Sequence, residues 1–265
     1  MQGHKDNQQV SDSNSDLELS ILTVLGDRED QQDSFGYELK KGEGLVVLCD
    51  GMGGHEGGKL ASSLAVDEFL SCYDRAYPCE SPVDFLSETT KKANGRVLAL
   101  KDRNGQTMNA GSTLAAVLIS GRQLYWSSVG DSRSYLFRND EFVQFTLDHN
   151  YQTVLLEKKN AGLIDDEELE NEKDRVEALI SFLGIGELKL IDYNDAALQL
   201  MKDDKILIMS DGLYKLVPDE EIARVVLNFN NIGEALQALE MKARKCARMN
   251  GISRDNMTAA LIKIL

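Results

Sequence analysis

Five aspartates stand in places where ordinary surface charge does not. Asp50 directly follows the apolar run Leu45-Val46-Val47-Leu48-Cys49, and Gly51, Gly53 and Gly54 come after it. A carboxylate at the tip of a buried strand is costly unless it is paired or bound to metal. Glycines beside it permit a tight turn and let backbone carbonyls approach an ion. Asp211 repeats the arrangement, after Ile206-Leu207-Ile208-Met209-Ser210 and before Gly212. Asp33, Asp131 and Asp255 fall at three further loop–strand junctions, in Gln31-Gln32-Asp33-Ser34, Gly130-Asp131-Ser132-Arg133 and Ser253-Arg254-Asp255-Asn256. Hard divalent cations such as magnesium and manganese take oxygen ligands and keep several waters, so carboxylates at strand ends could hold two of them. Each aspartate also has a plain structural reading. Asp-Gly is an ordinary turn, Asp131 could sit in a hairpin and Asp255 could cap a turn. Position alone leaves both readings open and names no reaction.

The elements that must position these residues follow from the hydrophobic pattern. Short apolar segments around Ile21 to Leu25 and Leu45 to Cys49 read as buried strands. Past Gly57 and Gly58, Ala61, Leu64, Ala65 and Phe69 share a helical face, and Leu86, Thr90, Ala93, Val97 and Leu100 form a second stripe, both facing a core. A strand meander follows over 113–119, 123–129, 134–137 and 141–145, with Asn139-Asp140 as a hairpin turn. The stretch 148–182 is polar, charged and mostly helical. Ile191, Ile206 and Ile208 lie in further strands, a late helix carries Ile232, Leu236, Leu239, Ala243 and Cys246, and a last strand spans about 257–264. Grouped rather than alternating elements predict an α+β fold: two packed antiparallel sheets would bury both helix stripes from outside.

The 265 residues, 42% of them apolar, suffice for a sizeable core. Residues 1–18, rich in Gln, Ser, Asp and Asn, read as a disordered lead-in, and 19–265 as one domain. A net charge of −15, from 44 acidic and 29 basic residues, argues against a general nucleic-acid binder. Cys49, Cys72, Cys79 and Cys246 form no Cys-x-x-Cys pair and no disulfide framework. No secretory signal or membrane-length apolar run is visible, so a soluble, cytoplasmic monomer is expected.

From Leu25 to Leu265 the chain resembles the metal-dependent protein phosphatases of type 2C, with seven motifs in that family's order. Arg28 precedes Asp33 by five residues; Val47-Leu48-Cys49-Asp50-Gly51-Met52-Gly53-Gly54-His55, with Gly57-Gly58 and Ala61-Ser62, resembles the bacterial form of the second motif; Gly111-Ser112-Thr113, Gly130-Asp131-Ser132-Arg133, Thr146-Leu147-Asp148-His149, Ser210-Asp211-Gly212-Leu213 and Asp255-Asn256-Met257-Thr258 complete the series. The resemblance implies an α-β-β-α sandwich and hydrolysis of phosphoserine and phosphothreonine in proteins without a phosphoenzyme. The cofactor implied is Mn2+ or Mg2+, two ions with a weaker third. Asp50 would bridge the two ions, Gly51 would offer its carbonyl to one, Asp211 and Asp255 would hold the other, Asp131 would serve the third, and Asp33 would act through water. Arg28 would grip the substrate phosphate. Phosphorylated proteins, and a cognate serine/threonine kinase, are the implied partners.

Five departures or local features bear on detail. Met52 stands where many eukaryotic members have a histidine, so water is left to protonate the leaving group. His55 sits in the glycine loop near Asp50, while His149 is expected to fix structure beside Asp148. Gln31 replaces an asparagine, with little effect expected. The segment around 150–183 corresponds to a variable flap; its run Asp165-Asp166-Glu167-Glu168 reads either as a solvated helix or as a substrate-selecting surface. A non-catalytic binding module and a phosphatase for small esters are the rival readings.

Overall fold

The computed structural model describes residues 7–54 and 56–265; His55 lies outside the described residues, as do residues 1–6. Among the described residues thirteen strands and seven α-helices follow in the order β1 Asn7–Ser13, β2 Leu17–Val24, β3 Asp33–Lys40, β4 Glu43–Gly53, α1 Gly57–Ala76, α2 Pro82–Leu98, β5 Ala110–Ser112, β6 Leu114–Ser120, β7 Gln123–Val129, β8 Arg133–Arg138, β9 Glu141–Gln144, α3 Tyr151–Asn160, α4 Asp166–Asn171, β10 Asp192–Tyr193, β11 Leu198–Gln199, β12 Lys205–Met209, α5 Asp211–Tyr214, α6 Asp219–Asn228, α7 Ile232–Asn250 and β13 Met257–Ile264. One sheet has the order β1-β2-β13-β12-β8-β9; the other runs β10-β7-β6-β4-β3, with β11 on β7 and β5 on β4. Every named pair is antiparallel.

Three apolar layers separate the four structural layers. Side chains of both sheets, including Ile21, Leu48, Val117, Ile206 and Ile262, meet in the middle. The opposite faces of the same strands pack outward, Val47 and Leu118 against α1 and α2 and Leu207 and Leu261 against α6 and α7. Strands buried on both faces explain why Leu45–Cys49 and Ile206–Met209 read as unbroken apolar runs. Each such side chain adds about 1.5–3 kcal/mol of burial free energy. The two helix stripes and the α-β-β-α architecture are as the sequence pattern predicts.

The lead-in differs from expectation. Residues 7–13 form β1, fully paired with β2 from Asn7↔Val24 to Ser13↔Glu18. Being at the sheet edge, β1 needs no apolar alternation. Its backbone hydrogen bonds and polar contacts hold it, such as Gln9 Nε2 donating to the Gly233 carbonyl at 3.1 Å. The Asn139-Asp140 turn matches: both residues are left-handed, φ 48° and 66°, as a two-residue hairpin loop requires. Ile191 falls just before β10 rather than within a strand.

Candidate active site

The sequence-predicted aspartates come from both sheets and meet at one edge of the sandwich. In the β3–β4 register Asp33 lies directly opposite Asp50. In the other sheet, Asp211 opens α5 immediately after β12, and Asp255 precedes β13, the strand paired with β12. Asp131 sits in the β7–β8 turn. A cleft of about 650 Å3 is lined by Asp50, Asp131, Asp211, Asp255, Arg28 and Gly51, among others.

Close backbone approaches set this geometry. A Cβ on Gly51 would lie 2.0 Å from the Gly58 carbonyl oxygen, and one on Gly212 2.0 Å from that of Asn256. Glycine is therefore required at both positions by proximity. The Asp50 N–H donates to Thr113 Oγ1 at 2.9 Å, and its carbonyl accepts from Thr113 N at 2.8 Å. Thr113 Oγ1 lies 2.7 Å from Ser132 Oγ, joining β4 to the loop that carries Asp131. Asn256 fastens the opposite wall: its Oδ1 accepts from Gln32 N and its Nδ2 donates to the Leu25 carbonyl, each at 2.8 Å. Ser210 Oγ donates to Asp33 Oδ2 at 2.8 Å, linking the two sheets through the site.

Burial raises the pKa of three of these carboxylates, and the like charges around them add to it. Burial pushes Asp33 up to about 7; hydrogen bonds from Thr258 and Ser210 oppose that, while Asp211 and Asp255 add to it. Asp50 lies well above the usual carboxylate range, through burial and then the charges of Asp33, Asp211, Asp131 and Asp255. Asp131 is raised to about 6 by burial and by Asp211, against the pull of Lys215 and Tyr214. Asp33 Oδ1 is buried without a hydrogen-bond partner. An all-oxygen, like-charged, under-satisfied cluster fits a hard divalent cation. Among the described residues no three His, Cys, Asp or Glu side chains enclose a metal by themselves. Tethered cations engage two of the carboxylates instead: Arg28 reaches Asp255 Oδ2 at 2.5 Å and Lys215 reaches Asp211 Oδ2 at 2.8 Å. Backbone carbonyl and water would have to complete any coordination shell.

A family model described as protein phosphatase 2C matches residues 8–157. The chain belongs to the protein phosphatase 2C family. It is similar to the serine/threonine phosphatase stp of Listeria innocua, 28% identical over 240 residues, which is 89% of this chain and 91% of that protein. Among solved structures it resembles the serine/threonine phosphatase of S. agalactiae, with TM-score 0.79, 26% identity, and coverage of 94% of this chain and 100% of that one. It also resembles the catalytic domain of the phosphatase PstP solved with 2 manganese ions, with TM-score 0.73, 26% identity, and coverage of 94% and 99%.

In this 2C-family chain, sequence reasoning missed several residues. Lys215 follows Asp211 by four residues, a spacing that brings them together once α5 is known. Gln31 was expected to matter little, yet it is buried, its Oε1 accepting from Asp33 N at 3.0 Å and its Nε2 donating to Thr23 Oγ1 at 3.0 Å. It orients Asp33. His149 behaves as a structural residue: Gly130 N donates to its Nδ1 at 3.3 Å, and its own N–H donates to the Gly130 carbonyl at 2.9 Å. Neighbouring Asp148 takes a bidentate contact from Arg133, whose Nε donates to Oδ1 at 3.2 Å and Nη2 to Oδ2 at 2.7 Å; Arg133 also stacks on Tyr214 with its guanidinium carbon 3.8 Å from the ring centroid. The acidic run at 165–168 forms an exposed capping box between Asp165 and Glu168 at the start of α4, which favours the solvated-helix reading.

Proposed function

We propose that the chain hydrolyses phosphoserine and phosphothreonine in proteins with the help of Mn2+ or Mg2+, reversing a serine/threonine kinase in the cytoplasm. The observation that carries this reading is the convergence of Asp33 and Asp50 from one sheet with Asp211 and Asp255 from the other beside Arg28. Two ions are assigned to Asp50, Gly51, Asp211 and Asp255, with Asp33 acting through water and Asp131 serving a weaker third. When bound, such ions supply a water activated near neutral pH and neutralise phosphoryl charge.

The residues of the chain supply positioning. The Asp50 backbone is fixed by Thr113, and its carboxyl group lies within the influence of Asp33 from its own sheet and of Asp211 and Asp255 from the other. Gly51, without a side chain, lets the Gly58 and Gln32 backbones close against β4 beside Asp50. Arg28 keeps its charge, raised by its hydrogen bond to Asp255. Its side chain is 59% exposed. It can exchange Asp255 for a substrate phosphate, which a guanidinium contacts in bidentate fashion. Met52 at the cleft wall carries no proton, leaving protonation of the departing serine or threonine oxygen to water. The flap of 150–183 borders the cleft through Glu177 and Leu179, and we assign it to contact with the protein substrate.

The test is release of phosphate from a phosphothreonine peptide with and without manganese. Activity that requires the metal and is lost in Asp50→Ala and Asp211→Ala supports the reading. An inactive wild type with manganese present refutes it, and faster turnover of small aryl phosphates than of peptides would move the substrate to small esters.

A further inference from the structure

The Lys215 ammonium contacts two carboxylates with different jobs. One is Asp211, at 2.8 Å, assigned to the metal. The other is Glu177, at 3.0 Å, which belongs to the flap and is 73% exposed. Lys215 lies at the end of α5, one turn beyond Asp211, and its backbone N–H donates to the Asp211 carbonyl at 3.0 Å. That bond fixes the backbone at the root of the side chain, and the ammonium at its tip lies between the two carboxylates. Asp131 is the other acidic group near it. An ammonium is a compact point charge on a flexible stem, so its movement between two neighbouring carboxylates needs only side-chain rotation.

We propose that Lys215 is a tethered cation that holds Asp211 against the entering metal and withdraws onto Glu177 once the metal has taken that carboxylate. The inference rests on the metal-centre reading above. Lys215 then sets the metal concentration at which the centre fills, and Glu177 makes that filling easier by receiving the displaced charge. Metal occupancy is thereby coupled to a flap contact.

Calorimetric titration with Mn2+ tests this without measuring catalysis. Lys215→Met should tighten manganese binding about tenfold, equal to about 1.4 kcal/mol, and Lys215→Gln should do the same. Lys215→Arg, which keeps the cation, should stay near wild type. Glu177→Gln should weaken binding while Lys215 is present and lose that effect in the Lys215→Met background, a non-additivity that identifies a direct pair. Equal affinity in wild type and both neutral variants overturns the proposal. So does a Glu177→Gln effect of the same size in both backgrounds, because Glu177 would then act only as a general negative charge. If the wild type itself binds no manganese, the metal-centre reading fails first and the proposal with it.

Discussion

Replacing Gly212 by alanine tests whether the site depends on how closely two chain segments approach. The added Cβ would stand 2.0 Å from the Asn256 carbonyl oxygen and 2.9 Å from its carbon, both backbone atoms. Ordinary contact begins near 3.4 Å, so relief needs a main-chain displacement on the order of 1 Å, the scale at which misplacement costs about 100-fold in rate. The displaced segments carry Asp211 and Asp255, so these two carboxylates shift relative to one another. Overpacking of this kind costs about 1–3 kcal/mol, and each kcal/mol lowers the Tm of a chain this size by about 2–4 °C. We expect Gly212→Ala to lose about 100-fold in kcat/KM on a phosphothreonine peptide and to melt several degrees lower. Gly95→Ala is the control. It lies in α2 with nothing within 4 Å of the new carbon, and should be stabilised by about 0.5–1 kcal/mol. Wild-type kinetics and melting in Gly212→Ala would refute the argument.

Other perturbations have equally definite outcomes. Asp148→Ala removes the main partner of the Arg133 guanidinium, whose side chain is only 21% exposed, and leaves it the longer contact with Asp219 at 3.7 Å. A loss of about 2–3 kcal/mol is expected in urea titration, below the full cost of breaking a buried pair because some solvent reaches it. His149 is held neutral, its pKa lowered from 6.5 by burial despite Asp192 and Asp148. The unfolded chain binds this proton more readily, so the contribution of His149 is complete above pH 6.5 and is lost as pH falls below it. The stability–pH curve of His149→Gln should be flatter in that window. Manganese at about 100 times its Kd should raise stability by about 2.7 kcal/mol, reversed by chelator and absent in Asp50→Ala; an unchanged melting curve would remove the metal from the site.

Much of this was legible in the sequence because burial leaves a strong signal. The runs ending at Cys49 and Met209 announced strands covered on both faces, and the aspartates following them stood out against that background. Edge strand β1 was not legible: its backbone pairing to β2 puts no demand on side-chain polarity, and its residues are mostly exposed. Gln31, Asn256 and Thr113 were unreadable as positioning residues for a different reason. The hydrogen bonds of Asn256 and Thr113 cross to segments distant in the chain, as Gln32 N does in reaching Asn256 across 224 residues, while Gln31 acts locally, on Asp33 N and Thr23 Oγ1, in a loop that carries no hydrophobic period. Lys215 was half-legible, since its spacing from Asp211 means little until α5 is known to exist.

The central place of β13 has a consequence for how the molecule acquires activity. This strand fills the gap between β2 and β12, pairing Met257 with Val24 and Ile264 with Leu17. Contacts so remote in sequence close slowly, because chain entropy is lost before they reward it. Asp255 reaches its place beside Arg28, 227 residues away, only with that closure. Any chain in which β13 is not yet paired therefore lacks a complete centre, even where the local β6–β7 hairpin has formed. During refolding, hydrolytic activity should rise with the slowest structural phase, which makes turnover a clock for the insertion of β13 between β2 and β12.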